Sequence, residues 1–331
     1  MGFLLPRAQL TAFLRLLMRD STLIAPVRRK ADDVVLFEEL KAEQDLRLLE
    51  LAAIPQFSAK RFFMPAYEEL FEYDMKDQEL TDRKLQPRPR ILFGLHLCDL
   101  NAVKVQDALF MGKQYVDDHY KNSRDHVYLV GWYCNTPPSK FCFCESMKLT
   151  NYYDLMLREL PGKLIYIDVG TPKGMLLMEK ARPLGLKEHH EQVPQIRTGK
   201  HLDTHDIRGY FEHPKWKEVT EELCLSCQRC TTMCPTCMCF GIYDETRPDL
   251  RHGVRKRSWD SCHSKEFTRV AGEHIFRPDR TARFKHRVYH KITYYPEAFG
   301  TPMCTGCGRC IEQCPTEIDF VKIINDINTQ K

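Results

Sequence analysis

The sequence predicts an α/β domain with a mostly parallel sheet over residues 1–205, followed by an α-helical domain over residues 206–331. In the first part, apolar runs of strand length alternate with helical patterns, as in proteins with parallel sheets. In the second part a cysteine motif occurs twice, and the 69 residues between the copies leave room for helices. The length of 331 residues agrees with two domains, at about one domain per 150 residues.

Three apolar runs define the predicted sheet, at residues 91–97, 127–133 and 163–169. Asp99 follows the first run where a helix N-cap is expected, ahead of a helical pattern over residues 100–110. The other predicted elements are a helix over 6–19, a strand over 32–40, a helix after Pro65, a loop over 86–90, a helix over 172–181 and a terminal helix over 318–327.

The composition is that of a globular protein without a membrane span. Hydrophobic residues make up 43% of the chain and charged residues 28%, and no apolar run approaches the roughly 20 residues that cross a bilayer. The amino-terminal residues lack a small-residue cleavage site, so no secretory signal is predicted. Because the 15 cysteines are also odd in number, we expect reduced thiols in a cytoplasmic protein rather than disulfides.

A cysteine motif with the spacing C-x2-C-x2-C-x3-C-P begins at Cys224 and again at Cys304. This is the ligand pattern of bacterial-type 4Fe–4S proteins, in which the fourth thiolate of each cluster comes from the other motif. The predicted ligand sets are Cys224, Cys227, Cys230 and Cys314 for the first cluster, and Cys304, Cys307, Cys310 and Cys234 for the second. Two zinc sites are the alternative, but structural zinc is normally held by paired C-x2-C arms and needs no third cysteine two residues on. The carboxyl-terminal part is therefore predicted to be an α-helical ferredoxin-like domain with two clusters.

Four further cysteines are predicted to meet at one edge of the sheet. Cys98 and Cys134 each follow an apolar strand, and open α/β sheets gather their sites at the carboxyl ends of their strands. Cys142 and Cys144 lie in the next loop, where an extended Cys-Phe-Cys segment points both sulfurs to the same side. These four are candidate ligands of a third 4Fe–4S cluster. The alternative is that they are small buried core residues, as free cysteines often are.

Three more cysteines, Cys237, Cys239 and Cys262, form a candidate additional site that Asp260 or His263 would complete. The alternative is that these thiols only line the protein around the clusters. No Gly-x-Gly-x-x-Gly follows a strand, so no dinucleotide site is predicted. Because four thiolates per cluster leave no iron open to substrate, we predict an electron carrier without catalytic residues. A redox enzyme that uses the three additional thiols is the alternative function.

The net charge of +4 is unevenly distributed, because residues 251–291 contain twelve Lys or Arg and only four Asp or Glu. A 4Fe–4S core with four thiolates is an anion, so nearby cations stabilise it, and charge compensation is the favoured interpretation. A docking surface for an acidic partner is the second interpretation. Nucleic-acid binding is the third, and it is not favoured because the segment has no base-reading motif.

Taken together, several short segments resemble one family. They are the Cys98-Asp99-Leu100 turn, the loop that ends at Cys144 and continues to Ser146-Met147, the run from Cys230 to Cys239, Trp259 to Cys262, Tyr289 to Lys291, and the motif that begins at Cys304. The family comprises the iron–sulfur beta subunit of cytoplasmic sulfhydrogenases and the A subunit of anaerobic sulfite reductases. The resemblance implies an electron-transfer subunit between a flavoprotein that handles NAD(P)H and a catalytic subunit of NiFe hydrogenase or sirohaem sulfite reductase type.

Overall fold

A computed structural model describes residues 1–29, 33–83, 88–112 and 114–329 of the chain. The strands are β1 (Gly2–Pro6), β2 (Thr22–Arg28), β3 (Val35–Glu39), β4 (Tyr67–Asp74), β5 (Glu79–Asp82), β6 (Arg90–Leu95), β7 (Val127–Trp132), β8 (Leu155–Leu160), β9 (Leu164–Val169), β10 (Lys187–His189), β11 (Phe240–Thr246) and β12 (His252–Trp259). The helices are α1 (Leu10–Met18), α2 (Leu97–Phe110), α3 (Asp118–Asp125), α4 (Pro172–Lys180), α5 (Lys215–Glu222), α6 (Arg229–Thr232), α7 (Arg280–Tyr289), α8 (Tyr295–Phe299), α9 (Arg309–Glu312) and α10 (Phe320–Thr329).

The large sheet has the strand order β10-β1-β9-β8-β7-β6-β2-β3. Strands β2, β6, β7 and β8 are parallel to one another, and the strands on either side of them are antiparallel. The predicted parallel sheet is therefore present at the centre, where the apolar runs of β6 and β7 are buried. Helix α2 connects these two strands, as a parallel pair requires.

Two of the predicted helices differ from the structure. The chain begins with strand β1, which pairs with β9, and the first α-helix starts only at Leu10. The prediction of a helix after Pro65 is wrong, because Tyr67–Asp74 forms strand β4. Its partner β12 lies almost 190 residues further along the chain, where Glu68 and Arg257 form a buried ion pair of 2.5 Å. A pairing over this separation leaves no signal in the local sequence pattern.

The other predicted elements need smaller adjustments. His96, with φ −73° and ψ 161°, is the N-cap of α2, while Asp99 lies in the first helical turn. The strand predicted over residues 32–40 is β3, although residue 32 itself lies outside the described residues. Residues 86 and 87 of the predicted loop also lie outside them, and Arg90 already belongs to β6.

The carboxyl-terminal region is not purely helical, contrary to the prediction. Between the two cysteine motifs the chain forms the hairpin β11–β12, which joins β4 and β5 in an antiparallel sheet of the order β11-β12-β4-β5. Helices α5, α7 and α10 pack around a core that includes Trp216, Phe284 and Phe320. Phe143 and Met147 of the amino-terminal part belong to the same core. The division at residue 205 stays a prediction.

Candidate metal centres

The two cysteine motifs form two similar loops, each leading into a one-turn helix. Helix α6 begins after Gln228, and α9 begins after Gly308, at the equivalent place of the second motif. Both preceding residues have a left-handed backbone, with φ of 66° and 75°. Because α6 packs against α9, the last cysteine of each motif lies near the other loop.

The first cavity is lined by the sulfur-bearing residues of the first predicted ligand set. Cys224, Cys227 and Cys230 come from the first loop, and Cys314 comes from the end of the second motif. The cavity encloses about 510 Å³, and part of that space is open to solvent. Cys227 is exposed at its mouth.

The second cavity, of about 310 Å³, is lined by the second predicted set. Cys304, Cys307 and Cys310 come from the second loop, and Cys234 comes from the end of the first motif. The grouping of cysteines around the two cavities thus agrees with the crossed pattern that the spacing predicts. Ligation by these particular residues stays a prediction.

The third predicted set also lines a single cavity, of about 380 Å³. Cys98 lies in the first turn of α2, Cys134 follows β7, and Cys142 and Cys144 lie in the loop after it. This loop contacts the second motif, because the Phe143 N–H donates to the carbonyl oxygen of Gly306 at 2.9 Å.

The three cavities lie in a row, because neighbouring cavities share a cysteine. Cys310 lines both the first and the second cavity. Cys307 lines both the second and the third. The second cavity is therefore the middle one, and the third joins it from the α/β part of the chain.

The remaining cysteines lie at the base of the β11–β12 hairpin. Cys239 directly precedes β11, Cys262 follows β12, and a hydrogen bond from Cys262 lowers the pKa of the Cys239 thiol to about 7. The side chain of Cys237 contacts that of Cys234. Within the described ranges, no three His, Cys, Asp or Glu side chains are arranged to hold a single metal ion.

Buried cations surround these thiols. Lys291 Nζ donates to Thr236 Oγ1 at 2.8 Å, Arg287 Nη2 donates to the Cys230 carbonyl at 3.1 Å, and Lys60 Nζ donates to the Cys237 carbonyl at 3.0 Å. Burial lowers the pKa of Lys60. Burial would also lower the pKa of Lys291, but the Cys234 and Cys237 thiolates raise it overall. Buried cations beside thiolates favour an anionic centre at this place.

Many basic side chains of the segment 251–291 form ion pairs within the molecule or face the cysteine cavities. On the hairpin sheet, Arg255 pairs with Asp244 at 2.7 Å, and Arg251 pairs with Asp74 at 2.6 Å. Arg257 is buried against Glu68, while Arg287 and Lys291 face the cysteine cavities. Arg287 and Lys291 are therefore placed to offset the charge of an anionic cluster, and the ion pairs of the hairpin sheet leave less free positive charge for a docking surface.

The cavities also collect buried polar atoms that lack a partner. Ser226 Oγ, Arg287 Nε and both ring nitrogens of His263 belong to residues that line the first cavity, and His96 Nδ1 belongs to one that lines the third. These atoms have no hydrogen-bond partner among the described residues. Sulfur atoms of an iron–sulfur cluster accept such hydrogen bonds. The Ser226 hydroxyl, Arg287 Nε and the His263 ring therefore supply donors that fit a cluster in the first cavity. In the third cavity, His96 Nε2 donates to the Leu51 carbonyl at 3.3 Å, so Nδ1 of its neutral ring is an acceptor.

The pKa values of the cysteines and of His263 also agree with a metal cluster at this place. Burial raises the pKa of Cys142 to about 11 and that of Cys307 to about 12. A thiol in such a place loses its proton when a metal binds it, because the metal supplies the positive charge. Burial and the nearby Arg287 lower the pKa of His263 to about 3, so its ring is neutral and carries one N–H donor.

The sequence pattern did not predict the buried ion pair between Asp99 and Arg309. Arg309 Nη1 and Nη2 donate to the Asp99 carboxylate at 2.8 and 3.1 Å, and Nε donates to the Pro55 carbonyl at 2.7 Å. Both side chains are almost fully buried. The pair joins the third cavity to the second, because Asp99 follows Cys98 and Arg309 lies between Cys307 and Cys310. Their places next to cysteines were the only signal in the sequence.

The fold and the paired cysteine loops define an iron–sulfur protein of the dicluster ferredoxin class. The family described as "4Fe-4S dicluster domain" matches residues 223–318, so this region binds 4Fe–4S clusters. The "Sulfhydrogenase 2 subunit beta" of Pyrococcus furiosus is 31% identical over 309 residues, which is 88% of each chain. The chain belongs to the family of sulfhydrogenase beta subunits. No solved structure matches it. Among the described residues, no helix is long and apolar enough to cross a membrane.

Proposed function

We propose that the chain relays electrons between a flavoprotein that handles NAD(P)H and a catalytic subunit in a cytoplasmic sulfhydrogenase-type complex. The catalytic subunit is of NiFe hydrogenase or sirohaem sulfite reductase type. The observation that carries this proposal is the row of three cavities, in which each neighbouring pair shares a cysteine. The relative from Pyrococcus furiosus is a sulfhydrogenase subunit, which supports a role within a larger complex.

The ends of the row differ in a way that suits two partners. At the first cavity Cys227 is exposed, and the neighbouring Leu225 is 64% exposed. An exposed apolar side chain beside a redox centre favours contact with another protein. At the other end, Cys134 is half-buried at the carboxyl edge of the sheet.

A bound 4Fe–4S cluster accepts and returns one electron at a time. The cysteine thiolates would hold such clusters, and the second cavity lies between the other two. Lys291 and Arg287 offset the negative charge that an added electron brings, because they are buried and face the thiols. The chain thus needs no substrate site of its own for this function, and no nucleic acid takes part.

The first test is an iron and acid-labile sulfide count on the anaerobically purified complex, with electron paramagnetic resonance (EPR) spectra of the reduced form. We expect about twelve irons from this chain, and about eight after Cys142→Ala, since each 4Fe–4S cluster carries four. About eight in the unchanged protein would restrict the relay to the two ferredoxin-type sites. Zinc in place of iron would contradict the proposal.

The relay itself is tested with two reductants. We place the entry of electrons from the flavoprotein at the third site. In the Cys142→Ala complex we therefore expect NAD(P)H to reduce the remaining clusters far more slowly than in the unchanged complex, while dithionite still reduces them fully. Cys262→Ala is the comparison variant, because Cys262 is not among the described residues that line the three cavities. The relay predicts normal reduction by NAD(P)H in this variant, whereas a redox site at Cys262 predicts a loss. Unchanged reduction by NAD(P)H in Cys142→Ala would remove the third site from the pathway.

A redox enzyme with its own thiol site is the second candidate, favoured by the contact between Cys239 and Cys262. It predicts turnover by the isolated chain. It also predicts that Cys239→Ala and Cys262→Ala abolish this turnover while the iron content stays the same. Loss of iron in these variants would instead make the two cysteines cluster ligands.

A further inference from the structure

His263 is a buried polar side chain whose two ring nitrogens have no partner among the described residues. The residue is 2% exposed and lines the first cavity together with Cys224 and Cys230. Buried polar groups in folded proteins are almost always hydrogen-bonded. Leaving a buried donor without a partner costs about 1–3 kcal/mol. The ring therefore needs an acceptor, and the cavity that it lines is where one can bind.

The surroundings of His263 hold its ring in place. Its backbone N–H donates to Ser261 Oγ at 3.1 Å, and its carbonyl accepts from Arg283 Nε at 3.0 Å. The ring packs edge-on against Phe284, with centroids 6.2 Å apart and an angle of 74° between the planes. Because both backbone groups are engaged and the ring packs against Phe284, the side chain is held beside the cavity, and its two ring nitrogens are the polar atoms without a partner.

We propose that His263 donates an N–H hydrogen bond to a sulfur atom at the first cysteine set and thereby raises the reduction potential of that cluster. The inference rests on the proposed electron relay. A hydrogen bond to a cluster sulfur stabilises the reduced state more than the oxidised state, because the reduced cluster carries one more negative charge. His263 is thus a positioning and tuning residue rather than a ligand.

The second cavity offers an internal comparison. It is lined by Lys291 and Arg287, and no histidine is among the described residues that line it. Arg287 contributes to both cavities, so its charge acts on both clusters. A substitution of His263 should consequently shift the potential of the first cluster and leave that of the second unchanged.

The test is a potentiometric titration of the anaerobic complex, followed by EPR, in which the first-site signal is the one lost in Cys227→Ala. For His263→Leu we expect the ratio of reduced to oxidised first-site cluster, at a fixed potential, to fall about fivefold, as for the loss of one hydrogen bond of about 1 kcal/mol. His263→Gln keeps an N–H donor and should restore most of that ratio. His286→Leu is the control, because His286 lies on the neighbouring helix α7 and is not among the described residues lining the cavities.

Three results would overturn the inference. An unchanged first-site potential in a fully loaded His263→Leu protein would mean that the ring makes no such bond. Equal shifts in the Leu and Gln variants would assign the effect to packing. Loss of about four irons in both variants would make His263 a ligand or a structural residue. Each of these three results is compatible with the proposed electron relay. If the protein without any substitution contained no iron, the proposed function itself would be wrong.

Discussion

The two cysteine loops have the same spacing and nearly the same backbone, but they lie in different surroundings. Ser226 and Gln228 of the first loop have φ of 52° and 66°, and Gly306 and Gly308 of the second have 68° and 75°. Only the second loop is covered by the segment 141–144, which approaches it closely. A Cβ on Gly306 would lie 2.6 Å from the Cys144 backbone. The glycines of the second loop are therefore required by close packing, since the first loop forms the same turn without glycine.

The arginine of each loop shows the same contrast. Arg229 and Arg309 occupy the same place in the motif, directly before the third cysteine. Arg229 is exposed, while Arg309 is 1% exposed and paired with Asp99. One loop is therefore exposed, and the other is joined to the α/β part of the chain.

The largest effect is expected from Arg309→Leu, compared with Arg229→Leu. Removing Arg309 leaves the Asp99 carboxylate buried without its partner, which costs about 3–5 kcal/mol of the free energy of unfolding. Arg229→Leu should have no measurable effect on stability. Both are measured by urea unfolding under anaerobic conditions.

The double variant Asp99→Leu with Arg309→Leu tests whether the loss of stability comes from the unpaired carboxylate. Replacing both partners of a buried pair by apolar residues is often neutral, so it should recover most of the lost stability. Equal stability of the two single arginine variants would contradict the view that the loops differ in their burial.

A smaller loss is expected from Gly306→Ala, compared with Ser226→Ala. A left-handed alanine costs about 1–2 kcal/mol relative to glycine, and displacement of the Cys144 backbone adds to this. Ser226→Ala keeps a side chain in a loop that already accommodates one, so we expect at most the loss of one hydrogen bond from the hydroxyl, about 1 kcal/mol. If Gly306→Ala also releases about four irons, the contact between the two loops is needed to hold one of the two clusters beside it.

The smallest effect is expected from Ser226→Gly, measured in the same unfolding experiment. Relief of the left-handed strain of about 1–2 kcal/mol is offset by the greater freedom of glycine in the unfolded chain, about 0.4–1 kcal/mol. The net result should be a gain of less than about 1.5 kcal/mol. A clear loss of stability would show that the Ser226 side chain has a role that the second loop lacks.

The sequence was sufficient for much of the site, because ligand spacing is a local property. Residues 91–97 and 127–133 were correctly predicted as buried strands, and the cysteines that follow them line one cavity. Strands β1 and β4 were missed, because each pairs with a strand more than 150 residues away. The hairpin β11–β12 was missed although its two strands are neighbours in the chain, because β11 is mostly exposed and polar and has no apolar run to mark it.

By itself the sequence determined the chemistry of this protein. The spacing of cysteines along a short loop decides which cofactor the loop can hold, and that spacing is independent of distant contacts. Only the tertiary structure decided that three cysteine sets lie in one row, that one loop is exposed and the other covered, and that Arg309 is paired with Asp99. These features depend on contacts between residues that are far apart in the chain, and burial determines the strength of each one.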